Sequence, residues 1–178
     1  ATAAQAGLPI SPSTMQRLMQ SYLDGVGVLP NPWPRTAREN LITLIGAGFP
    51  MVRIWEGLDQ EEILFHWLPE WRSVRSLPQR NVLHRHTVDR HMVETAVFAA
   101  ALTRSVHRPD LLLFAALFHD LGKGTQEDHS ERGEKLIEPL ARRIGFSESD
   151  IATLKLLVKH HLLLSATATR RDLDDPAT

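Results

Sequence analysis

The segment PDLLLFAALFHDLG, residues 109–122, constrains the fold more than any other stretch of this chain. The run Leu111 to Phe118 is apolar on nearly all sides, and a helix of that kind is stable only when other elements cover it. Pro109 suits the first turn of such a helix and Gly122 its end. The sequence therefore predicts a central, buried helix reaching Leu121. His119 and Asp120 follow the apolar run directly. Burying an imidazole and a carboxylate there is costly unless they are paired or bind a metal ion.

Further helices are predicted around this one. Ser13 or Thr14 caps a helix to about Leu23, which GVGVLPNPWP then breaks, because proline and glycine destabilise helix interiors. Thr36 with Glu39 has capping-box spacing and opens a helix to about Ala47. Asp59 with Glu62 repeats the pattern before a short helix ending ahead of Pro69. LPEWRSVRSLPQ reads as a turn-rich connection. From about Asp89 to Val106 the pattern is helical, with His91, Thr95, Phe98 and Leu102 on one face. Ser130 starts a helix ended by Gly145, and Ser147 with Asp150 caps another reaching roughly His161. No alternating strand pattern stands out. The expected fold class is all-α, with a helical extension over residues 1–68 and a compact helical core over residues 69–178.

Composition narrows the function classes. A formal net charge of -1 gives no reason to expect a nucleic-acid polymer or a membrane surface as partner. The longest apolar run is far too short to span a bilayer. The opening ATAAQAGLPISPS lacks the order of a signal peptide and reads as a flexible lead-in. The absence of cysteine removes thiolate metal sites and cysteine nucleophiles, and favours a cytoplasmic setting.

Nine histidines are many for 178 residues, and most of them lie between His84 and His161. Four features fall within the expected core: His91 on one helix, His119-Asp120 ending the buried helix, His129 opening the next, and His160-His161 ending another. Imidazole with carboxylate is a ligand set for zinc, manganese, iron or magnesium centres with open positions. The two oxygens of Asp120 suit it to bridging two ions. An ion so held would acidify water and offset charge growing on phosphoryl oxygens. Against this stands the bland reading: isolated histidines are commonly surface residues, and a histidine pair at a helix C-terminus simply favours the helix dipole.

At these residues the chain resembles a known family. LFHDLGKG is similar to the central motif of HD-domain phosphohydrolases. LPEWRSVRSLPQ, LHRHTVDRH, ALFHDLGKGTQEDHS and LVKHHLLLSATATRRDLDDP, in that order, resemble the HD domain of bacterial PII uridylyltransferase/uridylyl-removing enzymes. LITLIGAGFPMVRIWEGLDQEEIL resembles, more weakly, the helical region before that domain. The resemblance implies an HD-domain helical bundle holding one or two divalent ions, manganese or magnesium first, iron or zinc as alternatives. It implies hydrolysis of the phosphodiester joining a nucleotide to a tyrosine of the PII signalling protein, releasing a nucleoside monophosphate. The nucleotide is UMP in the founding members of the family and AMP in some actinobacterial relatives.

Carried over residue by residue, the resemblance makes His91, His119 and Asp120 ligands of a first ion and His129 a ligand of a second. His161 is the best match to the histidine preceding the leucine-rich segment, with His160 the runner-up. His84 matches the start of the HxxTVD motif and takes a supporting or substrate-contacting role. Lys123 is placed to meet a phosphate oxygen. Arg170 and Arg171 are candidates for gripping phosphate or PII, and salt bridges to Asp172 or Asp174 are the other reading. A further aspartate of the family pattern is expected beyond Thr178, and neither a nucleotidyltransferase motif nor an ACT-type region is recognisable, so the chain reads as part of a longer enzyme. Two other functions fit the same residues: an HD hydrolase of a small nucleotide, and a non-catalytic module that binds PII. The missing GYP signature counts against a cyclic-dinucleotide HD-GYP enzyme.

Overall fold

The computed structural model describes residues 1–79 and 85–170, and no strand occurs among them. In chain order the α-helices are α1 (Thr2–Gln5), α2 (Pro12–Leu23), α3 (Arg35–Ile45), α4 (Phe49–Gln60), α5 (Ile63–Trp67), α6 (Val88–Ala100), α7 (Pro109–Phe118), α8 (His129–Ile144), α9 (Glu148–Lys159) and α10 (Leu163–Arg170). Short 3-10 turns, Pro69–Ser73 and Thr103–Ser105, follow α5 and α6. The all-α expectation holds.

The apolar run forms α7, with Pro109 in its first turn, and lies at the centre as expected. Leu111, Leu113, Phe114, Ala115, Leu117 and Phe118 are all buried, and α3, α6 and α9 pack around them. Each leucine and phenylalanine among them contributes roughly 1.5–3 kcal/mol relative to exposure. Phe118 meets Trp71 edge-on at 6.5 Å, and Trp71 meets Trp55 at 5.1 Å, so the core continues from α7 into the earlier helices. Helices α8 and α9 form a closely packed pair. Their connection works as the sequence suggests: Gly145 takes a left-handed conformation (φ 89°) that ends α8, and the Ser147 side chain accepts from the Asp150 N–H to start α9.

Several local expectations are corrected. Helix α2 is capped by Ser11, whose side chain accepts from the Thr14 N–H, with Pro12 as the first helical residue. The pair Thr36 and Glu39 forms no capping box: α3 already begins at Arg35, and Glu39 pairs with Arg35 at 2.7 Å. Asp59 opens no helix either. It lies in the last turn of α4 and accepts from Trp71 Nε1 (3.1 Å) and Arg75 Nε (2.8 Å), fixing the 3-10 turn against α4. The lead-in contains α1, whose Ala4 is buried in the core. Helix α6 ends at Ala100 rather than Val106, and its Phe98 is exposed. Its buried side is Val88, Met92, Val93, Ala96, Val97 and Ala99.

Candidate metal centre

Asp120 sits in the turn just after α7 with 1% of its surface exposed. The backbone around it is drawn tight. A Cβ on Gly122 would fall 2.0 Å from the His129 carbonyl oxygen and 2.6 Å from the Gly133 nitrogen, so only glycine lets the turn lie against the start of α8. Arg132 secures the same turn by donating to the carbonyl oxygens of Gly122 (3.0 Å) and Lys123 (3.2 Å). Asp128 caps α8 by accepting from the N–H groups of Ser130 and Glu131, which places His129 as its first residue.

Four histidines from four places in the fold converge on this carboxylate. His119 Nε2 lies 3.2 Å and His91 Nε2 3.6 Å from Asp120 Oδ2. His161 Nε2 lies 3.5 Å and His129 Nε2 3.8 Å from Oδ1. His91, His119 and Asp120 form one candidate donor set, and Asp120, His129 and His161 a second. Within each, the ligand atoms all lie within 4.8 Å of one another. One carboxylate therefore joins two sets, an oxygen facing each.

The hydrogen bonds behind the histidines indicate what belongs between them. His119 Nδ1 donates to the Ala116 carbonyl oxygen (2.9 Å) and His161 Nδ1 to that of Val158 (2.7 Å). With the proton on Nδ1, the Nε2 lone pair of each ring points at Asp120, an arrangement that suits a metal ligand. His91 and His119 also bring their Nε2 atoms to 3.2 Å. Asp120 Oδ1 is buried and accepts no hydrogen bond. Lone pairs gathered this closely around a carboxylate repel unless protons or cations lie among them, and the set of nitrogen and oxygen donors fits a divalent ion.

The electrostatics follow from the same contacts. Burial on its own would raise the Asp120 pKa, but His119, His161 and Lys123 beside it hold the group well below the usual carboxylate range. Burial works to lower the His161 pKa, yet the Asp120 carboxylate beside it and the hydrogen bond to the Val158 carbonyl leave it raised. His129 is lowered, chiefly by burial.

His91, His119, Asp120, His129 and His161 are thus brought together. The runner-up His160 is not: it is the exposed cap of α9, and the following residue turns inward instead. Lys123 is not turned to solvent. Its Nζ lies 2.7 Å from Asp120 Oδ2 and donates to Gln79 Oε1 at 2.6 Å. Arg170, at the end of α10, borders the same open cleft of about 620 Å³ as the histidines and Lys123. His84 and Arg171 lie outside the described residues. Gln79 and helix α10 escaped the sequence reading, which follows helices no further than about His161. A leucine-rich stretch followed by alternating alanine and threonine gives no clear helical period.

The chain belongs to the HD domain family, whose model matches residues 88–177. Its relatives refine that class. Over 178 residues, all of this chain, it is 57% identical to the bifunctional uridylyltransferase/uridylyl-removing enzyme of Streptomyces coelicolor, covering 21% of that protein. It is 50% identical over its whole length to the enzyme of the same name from Mycobacterium tuberculosis, covering 22%. With the Corynebacterium glutamicum enzyme it shares 33% identity over 97% of the chain and 24% of the relative. The chain therefore spans about a fifth of the length of these first two relatives. No solved structure matches it.

Proposed function

We propose that this chain is the hydrolytic part of a uridylyl-removing enzyme, cleaving UMP, or AMP, from a modified tyrosine of the PII nitrogen-signalling protein. The observation that carries this reading is Asp120: a buried carboxylate shared by two histidine-containing donor sets, with one oxygen accepting no hydrogen bond. The names of the relatives supply the substrate class.

In this reading His91, His119 and Asp120 hold one divalent ion, and Asp120, His129 and His161 a second, manganese or magnesium being the first choices. Such ions would acidify water and offset charge on the phosphoryl oxygens. The chain's own residues do the rest. The Ala116 and Val158 carbonyls hold the rings of His119 and His161 in one orientation. Burial of Asp120 by the α7 core keeps bulk water from its carboxylate. Lys123 carries a positive charge at the cleft floor, beside where a phosphate would lie. Arg170 stands at the rim, where a protein substrate would approach.

The test incubates the chain, with manganese or magnesium, with nucleotidylated PII, alongside Asp120→Ala. Release of UMP or AMP by the unaltered chain alone is expected, and the product names the nucleotide. Full activity in the Asp120→Ala protein would rule out the metal centre. Hydrolysis of free small nucleotides with no release from PII would favour the small-nucleotide hydrolase. PII binding without any release would favour the non-catalytic module.

A further inference from the structure

We propose that Lys123 is an internal cation that competes with the metal ion for Asp120, and that Gln79 is the positioning residue that takes it up when it lets go. The inference rests on the metal-centre reading above and is independent of the substrate's identity.

The argument starts from one oxygen. Asp120 Oδ2 belongs to the donor set it forms with His91 and His119, and Lys123 Nζ already lies 2.7 Å from that oxygen. The ammonium therefore stands against a donor that the first ion needs. Two cations cannot share one carboxylate oxygen at such range without strong repulsion, which is large where water is excluded. Asp120 is almost fully buried, so screening does little to relieve it. Without an ion, Lys123 compensates the carboxylate and prevents the cost of an unpaired buried charge. When an ion binds, that compensation is redundant and the ammonium has to give way.

Gln79 makes the withdrawal inexpensive. Its Oε1 accepts from Lys123 Nζ at 2.6 Å, and its Nε2 donates to the His86 carbonyl oxygen at 3.2 Å. The amide is thus anchored on one side while it presents an acceptor on the other. Both Gln79 and Lys123 border the cleft. An ammonium leaving Oδ2 keeps one hydrogen bond and stays at the cleft wall, poised for an anionic group of the substrate. A lysine on a flexible four-carbon stem can make that short excursion.

The measurement is calorimetric titration of the whole chain with manganese(II), with folding monitored by circular dichroism. Lys123→Met should bind manganese about tenfold or more tightly than the unaltered chain, because the competing charge is gone. Gln79→Leu should bind about threefold more weakly, because Lys123 then leans on Asp120 alone. In the Lys123→Met background, Gln79→Leu should have no further effect. Equal or weaker manganese binding by Lys123→Met overturns the proposal, as does a Gln79→Leu effect that persists without the lysine. If Lys123→Met does not fold, Gln79→Leu decides alone: weakened binding supports the proposal and unchanged binding overturns it. A chain that binds no manganese at all overturns the metal-centre reading, and this inference with it.

Discussion

Asp120 is costly to bury, and the groups gathered around it are what make that burial tolerable. A carboxylate with 1% exposure loses most of its hydration, and the surrounding imidazoles and ammonium outweigh that loss for its charged form, holding the group below the usual carboxylate range. Its neighbours differ in how far they serve the ligand set, and His160 and His161 give the sharpest contrast. His161→Ala should lower metal affinity and nucleotide release by about 100-fold or more, because an Nε2 donor facing Asp120 is lost. His160→Ala should change both by less than about twofold, since that side chain is exposed and belongs to neither donor set. Side-by-side titration and turnover of the two variants checks this, and equal losses would sink the assignment of His161. At this scale the sequence was informative where chemistry is local. An ionisable pair directly after an eight-residue apolar run could not be ordinary surface. The partnership of Lys123 with Gln79 was not legible, because it depends on how a loop folds back over the turn.

At the scale of elements, the helix junctions position the candidate ligands, and they were read unevenly. Gly145 and Ser147 carry their own local chemistry, so the end of α8 and the start of α9 were evident. Thr36–Glu39 and Asp59–Glu62 have the same capping spacing, yet their acidic groups bind Arg35 in the one case and Trp71 with Arg75 in the other. Capping spacing alone cannot tell which partner tertiary structure will supply. The junction between α7 and α8 is the tightest. Gly122→Ala should destabilise the chain by about 3 kcal/mol or more, because the added Cβ meets backbone at 2.0 Å and not a yielding side chain. Urea unfolding measures this, and a loss below about 1 kcal/mol would show that the turn can shift.

The starts of α7 and α9 are joined by Arg108, which pairs with Asp110 at 2.8 Å and Asp150 at 2.5 Å. Hydrogen bonds from Arg108 hold both carboxyls below their ordinary range. A depressed carboxyl stabilises the fold at neutral pH, above its unfolded value of about 3.9, and that contribution fades as pH falls through the lowered folded value. Arg108→Gln should therefore be less stable at neutral pH and should lose less on acidification to about pH 3 than the unaltered chain. An identical acid loss in both proteins, read from urea midpoints, would show that the bridge contributes nothing.

Across the whole molecule, the helices before Pro69 and those after it share contacts that bear on how the chain unfolds. Arg143 of α8 donates to both carboxylate oxygens of Glu70 (2.7 and 2.6 Å) and to the Trp67 carbonyl oxygen (2.7 Å), while its own carbonyl accepts from the Trp33 N–H (2.8 Å). Buried residues from Ala4 to Val158 form one continuous apolar cluster. All four tryptophans, Trp33, Trp55, Trp67 and Trp71, lie at or before position 71, whereas every candidate metal ligand lies at or after position 91. Tryptophan fluorescence thus reports mainly on the earlier helices, with Trp71 also against Phe118 of α7, whereas the candidate metal ligands lie in the later ones. An ion that binds only the folded state at a hundred times its dissociation constant stabilises that state by about 2.7 kcal/mol. If the core unfolds cooperatively, manganese should raise the urea midpoint seen by tryptophan fluorescence as much as that seen by circular dichroism, and a chelator should reverse both. A dichroism midpoint that moves while fluorescence stays fixed would make the helices before Pro69 a separate unfolding unit. In that case Arg143→Met should leave the metal-dependent shift intact. With cooperative unfolding, the same variant should lower both midpoints together, by about 2 kcal/mol once the partial exposure of the Arg143–Glu70 pair is allowed for.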